Sequence, residues 1–328
     1  MSYHGTRVLV TGGAGFIGSF LAQRLVAEGA DVAVTIRPGS NPWRLASVID
    51  RVRVLEIDLA NPSSCERLCQ SWVPELIFNL GSLVRTQQSL DALDAVWEGN
   101  FLVAKNVFHA AAAAGVRKCV QVGTVEEYGH AMVPFVETAR EEPISPYSLG
   151  KLMATHLALM TDKLTAMRVA AVRMAATFGP AQGFVMLTPN VICACMERRD
   201  FPTNPGEQMR DLMFVEDAVS GLLAVGASPA ADGEIINIGT GTMQTMKAVM
   251  TRINELMGNP ITIQFGAISY RPLDTKVFYM DVSKAERLLG WRAAADFDAA
   301  LAQTVAWYRE HWDVAERELL SHERHARV

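Results

Sequence analysis

Thr11-Gly12-Gly13-Ala14-Gly15-Phe16-Ile17-Gly18 follows the apolar run Val8-Leu9-Val10 and opens the amphipathic stretch 16–28. Glycines at 12, 15 and 18 therefore stand between a predicted strand and a predicted helix. Gly12 permits a sharp turn, Gly15 lets backbone N–H groups approach a pyrophosphate, and Gly18 lets helix and strand pack closely. Phe16 and Ile17 begin the helix, whose N-terminus turns a positive field toward the anion. A glycine triplet alone is weak evidence, but between strand and helix it predicts a dinucleotide-binding βαβ unit.

Outward from this turn, compact apolar runs at 31–36, 52–57, 76–79, 118–122 and 167–173 alternate with helical patterns such as 96–114 and the segment beginning near Tyr147. Buried strands alternating with helices predict a parallel sheet covered on both faces. Past Ala176 the texture changes. Pro and Gly become denser, and a strand at 235–238 and helices at 247–257 and 298–311 are spaced less regularly.

Later motifs follow in order: Asp58-Leu59, Asn79-Leu80-Gly81-Ser82, Gly123-Thr124-Val125-Glu126-Glu127-Tyr128-Gly129, Tyr147-x-x-x-Lys151, Phe178-Gly179-Pro180, Arg210 to Asp217, Asp281 to Ala285 and Leu289-Gly290-Trp291. With the G-x-x-G-x-x-G turn, they make the chain resemble the extended short-chain dehydrogenase/reductase family, which includes nucleotide-sugar epimerases, dehydratases and ketoreductases. The expected fold is α/β, a Rossmann-type doubly wound parallel sheet with a smaller mixed α/β C-terminal substrate-binding lobe. The nucleotide-binding domain is expected at 1–176 with a returning segment near 212–240, the lobe at 177–211 and 241–312, and a charged tail at 313–328.

The resemblance implies that Asp58 and Leu59 flank the adenine and that Leu80, Gly81 and Ser82 run alongside the cofactor. At the end of the second strand, Ile36-Arg37-Pro38-Gly39-Ser40 carries no carboxylate for the adenosine ribose. A guanidinium at Arg37 with the hydroxyl of Ser40 suits a 2′-phosphate, so NADP(H) is expected ahead of NAD(H).

Tyr147 and Lys151 are four apart and share a helix face. A tyrosine of ordinary pKa near ~10 is a poor proton carrier at neutral pH, and an ammonium one turn away, together with the positive nicotinamide, would lower it. Thr124, at the end of the preceding strand, supplies a hydroxyl to orient the substrate oxygen. Thr124, Glu126, Tyr147 and Lys151 are the expected catalytic set. Family dehydratases commonly carry Thr-Asp-Glu or Thr-Ser-Glu where this chain has Thr124-Val125-Glu126, and valine cannot donate a proton. Glu126 can instead bind sugar hydroxyls. Arg85, Asn190, Arg210 and Arg271 are further expected substrate contacts, with Arg210 and Arg271 matching positions that grip a diphosphate. Ala176 replaces a usual asparagine.

The expected reaction is NADPH-dependent reduction of a 4-keto-6-deoxy nucleotide sugar at C4, with Tyr147 as proton donor. The alternative is a 4-epimerase or 4,6-dehydratase holding NAD tightly, and a lesser one is a catalytically idle NADP-binding regulator. The resemblance also implies a homodimer through a four-helix bundle of 96–114 and 147–161, with Trp97, Phe101 and Phe108 at its contact; the alternative is that these three face the sheet.

Composition narrows the partners. The 328 residues carry 30 basic and 35 acidic side chains, net −5, which leaves no basic excess for phosphate-backbone binding. Nucleic acid is therefore excluded as an expected partner. The alanine run 110–114 is flanked by Lys105, His109 and Arg117, far short of the ~20 apolar residues of a membrane span. The first residues lead straight into the first strand without a signal-like apolar core, so a cytoplasmic chain is expected. Cys65, Cys69, Cys119, Cys193 and Cys195 match no zinc spacing, and His322/His325 are the one histidine pair at ligand spacing, so no metal is expected.

Overall fold

The computed structural model of the protein describes residues 3–85, 88–271 and 273–320. The expectations on His322, His325 and the end of the tail lie outside the described residues.

Six strands come first in the chain: β1 (Arg7–Thr11), β2 (Asp31–Ile36), β3 (Val52–Glu56), β4 (Leu76–Asn79), β5 (Lys118–Val122) and β6 (Arg168–Met174). The short strands β7 (Ala176–Phe178), β8 (Phe201–Thr203), β9 (Met209–Arg210) and β10 (Leu212–Phe214) follow, then β11 (Ile235–Ile238), β12 (Gln244–Thr245), β13 (Ile263–Phe265) and β14 (Val277–Phe278). The large sheet is wholly parallel, in the order β3-β2-β1-β4-β5-β6-β11.

Alternation along each strand serves two faces. Val8 and Val10 of β1 pack with Val32, Val34, Phe78 and Val120, whereas Leu9 packs on the other side with Ala33, Ile77, Cys119 and Val169. Both faces are apolar, as a parallel sheet between helix layers requires. All five thiols are free and buried.

The order of strands reverses between β1 and β4, and in open α/β sheets ligands sit beyond the carboxyl ends of the strands at that point. The smaller lobe over this edge is mixed. β7 pairs parallel with β10 and β8 with β13, while β9 takes β12 antiparallel and β14 parallel. Its own core, around Phe184, Val191, Val249, Leu301 and Tyr308, reaches Phe16, Ile17, Phe20 and Trp43. The first helix, Phe16–Ala27, therefore touches both units.

Three features differ from the sequence expectations. Ala285 and Trp291 pack on the large sheet, with Trp291 Nε1 donating to Ser220 Oγ (2.8 Å) and Lys284 Nζ to the carbonyl of Ile235 (2.7 Å), so this part of 241–312 is not in the lobe. The helix expected at 96–114 is interrupted by wide turns over Trp97–Leu102 between Leu93–Val96 and Val103–Ala113. There the Asn100 amide accepts from Leu83 N–H (2.8 Å) and donates to Leu83 O (3.2 Å), tying the helix to the loop after β4. Finally, Phe108 is buried beneath the sheet with Cys119 and Val107, so it cannot face a partner; Trp97 is 45% exposed and packs on Phe101.

Among the described residues no helix is long and apolar enough to cross a membrane, and no three His, Cys, Asp or Glu side chains gather as a metal site requires.

Candidate active site

The glycine turn is shaped as a cradle. Gly12 has φ +65°, and a Cβ there would stand 3.2 Å from Gly81 Cα; one on Gly15 would stand 3.0 Å from Gly12 O, and one on Gly18 would collide with it. Gly15 caps the helix without offering a side-chain acceptor, so the N–H groups of its first turn, on Phe16, Ile17 and Gly18, are not capped by a side chain. Absence of side-chain bulk together with these N–H groups fits the pyrophosphate of a dinucleotide.

Leu59 and Gly81 lie against this turn, since Gly81 N–H donates to Thr11 Oγ1 (2.9 Å) and a Cβ on Gly81 would meet Leu59 Cδ1 at 3.2 Å. Leu80 and Ser82 flank Gly81 and are half-buried, while Asp58 is exposed and accepts from Ala60 N–H (2.9 Å). Arg37 is exposed, and its carbonyl accepts from Ser40 N–H (3.0 Å) to close a tight turn. Although β2 carries no carboxylate there, the neighbouring strand does: Glu56 Oε2 accepts from Gly39 N–H at 3.4 Å.

A buried chain of hydrogen bonds crosses the sheet from the cradle. Thr11 Oγ1 donates to Asn79 Oδ1 (2.6 Å), Asn79 Nδ2 to Gln121 Oε1 (2.7 Å), and Gln121 Nε2 to the carbonyl of Val122 (3.2 Å). The same carbonyl receives Lys151 Nζ. Asn79 and Gln121 thus join the cofactor turn to the Tyr147 helix through groups that look, in sequence, like ordinary polar substitutions in strands.

Ser145 caps the helix Pro146–Leu164, accepting from Ser148 N–H (3.1 Å), and Pro146 fills the first helical position. This starts the helix immediately before Tyr147 and sets the phenol beside Thr124, whose hydroxyl pulls its pKa down. Thr124 itself caps a short turn after β5, its Oγ1 accepting from Glu126 N–H (3.4 Å). Tyr147, Lys151 and Thr124 are therefore brought together as expected.

The protein's own groups leave the Tyr147 pKa raised, so the expected lowering would fall to the positive nicotinamide. Burial pushes the phenol up, the charges of Glu126 and Glu127 push the same way, and the Thr124 hydrogen bond alone pulls it down. Lys151, 3% exposed, is drawn down to about 8 by burial, opposed by Glu127.

Glu126 faces Arg210 and Arg271 electrostatically, with Asp274 nearby; burial raises its pKa and the two guanidiniums lower it. Arg210 is held over the ring of Phe278 (4.7 Å), donates to the carbonyls of Met209 (3.0 Å) and Lys276 (3.2 Å), and lies 3.7 Å from Asp274. This cluster can take an anionic group through two arginines and neutral hydroxyls through Glu126. Arg85 is exposed and Asn190 half-buried on the helix Leu187–Met196, and neither is bonded to the cluster among the described residues.

Two positioning side chains escaped the sequence reading. Arg44 Nε donates to Ala181 O (2.9 Å) and its Nη1 to Ala14 O (3.3 Å), so it clips the glycine turn to the lobe while lying on the Trp43 ring. Glu127 is wholly buried behind Thr124. The Thr124-x-x-Glu127 spacing is a capping-box signature and was the available signal.

A profile of the NAD dependent epimerase/dehydratase family matches residues 8–239. The UDP-glucose 4-epimerase of Mycolicibacterium smegmatis is 28% identical, over 92% of this chain and 98% of that one. The dTDP-glucose 4,6-dehydratase of Streptomyces griseus is 30% identical, over 93% and 95%. The dTDP-glucose 4,6-dehydratase DesIV of Streptomyces venezuelae, whose crystal structure holds NAD, superposes with a TM-score of 0.88 at 26% identity, covering 95% of this chain and 100% of that one. With its seven-stranded parallel sheet, glycine cradle and Thr124–Tyr147–Lys151 group, the chain belongs to the NAD-dependent epimerase/dehydratase family, a branch of the extended short-chain dehydrogenase/reductases.

Proposed function

We propose that this protein binds NAD and inverts C4 of a nucleotide-diphosphate sugar, as a 4-epimerase. The observation that carries this reading is Val125. It is 4% exposed and packed into the main core, so the position where family dehydratases place a proton donor is turned away from the site. A 4,6-dehydratase must expel water as well as move hydride, and Glu126 alone would have to serve as both acid and base. An epimerase needs one proton carrier.

When bound, the nicotinamide supplies the acceptor for the C4 hydride and its return. Thr124 orients the sugar O4 against Tyr147. As the C4–H bond breaks and the C4 carbonyl forms, Tyr147, in the phenolate form that the positive nicotinamide would favour, would take the O4 proton; when C4 is reduced again on its other face, the phenol would give that proton back to the oxygen. Arg210 and Arg271 would hold the diphosphate, and Glu126 would accept from sugar hydroxyls. The epimerase relative supports the substrate class. NAD bound in DesIV and the Glu56 carboxylate beside the Arg37–Ser40 turn support a cofactor with a free ribose hydroxyl.

One observation favours a second reading, NADPH-dependent reduction of a 4-keto sugar: Arg37 stands exposed at the end of β2, where a guanidinium suits a 2′-phosphate. Denaturing the purified protein and weighing any released dinucleotide separates the two, together with product analysis after incubation with UDP- and dTDP-hexoses. Stoichiometric NAD and an epimerised sugar support the first. Protein that arrives empty, prefers NADPH and consumes it with a 4-keto sugar replaces it with the second.

A homodimer is part of the same proposal, through the exposed Leu93 and Trp97 together with Leu149 and Met160 of the Tyr147 helix. Sedimentation of a Trp97→Glu/Met160→Glu variant as a monomer, against a dimeric parent, is the expected result.

A further inference from the structure

We propose that Glu127 is a positioning residue for the proton-handling group: its buried carboxylate fixes the main chain of Thr124 against the helix that carries Tyr147 and Lys151. Oε1 accepts from Thr124 N–H (2.9 Å) and from the Thr155 hydroxyl (3.2 Å), while Oε2 accepts from Arg173 Nε (2.9 Å). Thr155 lies one turn beyond Lys151 on the same face, and Arg173 lies on β6, so three elements meet at one side chain. Gly123 makes room for it, since a Cβ there would collide with Glu127 Oε1 and stand 2.9 Å from Val172 O.

The far side of the carboxylate is locked as well. Arg173 is wholly buried, reaches Glu141 through Nη2 (2.6 Å) and lies 4.4 Å over the Tyr128 ring, whose hydroxyl donates to Asn237 Oδ1 (2.8 Å). A partner for Arg173 would need only one carboxylate oxygen. The other is spent on Thr124 and Thr155, which prevents the Thr124 peptide from turning and so holds its hydroxyl where it meets Tyr147. A displacement of about 1 Å at such a group can cost about 10²-fold in rate.

The inference rests on Thr124, Tyr147 and Lys151 being the reacting group. Its test is the crystal structure, with NAD bound, and the kinetics of E127M/R173M, which removes the acceptor for Thr124 and the buried guanidinium together and leaves the part-exposed Glu141 to His156 and solvent. The expected result is a folded protein in which Thr124 no longer reaches Tyr147, with kcat lowered about 10²-fold and KM and NAD affinity within about threefold. Thr124 still bonded to Tyr147 overturns the proposal whatever the rate. Thr155→Val, which keeps the ion pair, covers the case in which the double variant does not fold: a loss in kcat of about fivefold at unchanged KM is expected, and an unchanged kcat overturns the proposal. Tyr147→Phe is the control for the underlying reading. If it leaves turnover intact, that reading fails, and the Thr124–Tyr147 distance still decides the role of Glu127.

Discussion

Lys151 Nζ donates a 2.6 Å hydrogen bond to the carbonyl of Val122, the last residue of β5, and in doing so leaves water almost entirely. The unfolded chain keeps this ammonium charged up to its ordinary value of 10.5, whereas the folded protein releases the proton near 8. Folding is therefore penalised in full below about pH 8, and the penalty fades as pH rises toward 10.5. Lys151→Met is expected to raise stability at pH 7 by about 1–3 kcal/mol, to lose that advantage by pH 10.5, and to abolish turnover. Chemical denaturation at the two pH values checks the sign; a variant less stable at pH 7 contradicts it.

Tyr147→Phe removes the proton carrier and keeps the ring. A fall in kcat of about 10²–10⁴-fold is expected, with dinucleotide affinity unchanged within about threefold. Thr124→Val should lose about 10²-fold in kcat and, through the missing cap, about 1 kcal/mol of stability. Steady-state kinetics beside NAD titration reads both.

Arg44 joins two carbonyls, Ala14 in the glycine turn and Ala181 in the lobe, and burial draws its pKa down to about 10. Arg44→Met is expected to weaken NAD binding about tenfold, and Arg44→Lys to recover little, because one ammonium cannot span both acceptors while stacked on Trp43. Isothermal titration with NAD measures this; full recovery by lysine would mean that charge alone matters.

Gly18→Ala places a methyl against Gly12 O. The turn must open, so a loss of about 1–3 kcal/mol and of measurable NAD binding is expected. Thermal melts with and without NAD report it as a lower midpoint that the ligand no longer raises.

Arg210→Met, cut away from Asp274 and from the Met209 and Lys276 carbonyls, should raise the KM for the nucleotide sugar about 10–100-fold and leave NAD affinity alone. Competition by a free nucleoside diphosphate should weaken by the same factor.

What could be read from the sequence follows from distance along the chain. The glycine turn and Tyr147-x-x-x-Lys151 act through neighbours one to seven residues away, and helix and strand periodicity carry that information directly. Glu56 and Gly39 meet because β2 and β3 are adjacent, Arg44 and Ala181 because the lobe folds over the turn, and Glu127 and Arg173 because β5 and β6 pair. No local pattern encodes such meetings, although a lone arginine inside the apolar run of β6 requires a buried partner. Phe108 takes the sheet rather than a partner for a related reason: one helix offers apolar residues to both sheet and surface, and only packing decides which side each takes.

The seventh strand of the large sheet is made last, 60 residues after its neighbour β6 ends, and the chain between them builds part of the lobe. During synthesis, a polypeptide that has left the ribosome only through Met174 therefore presents β6 as an open edge, ready to pair with another chain. The edge closes when Ile235–Ile238 arrives, and Ala285 and Trp291 then pack against that side. Arrest or truncation between residues 175 and 234 is thus where this protein is most exposed to misassembly, well after its cofactor cradle and Tyr147 have been translated.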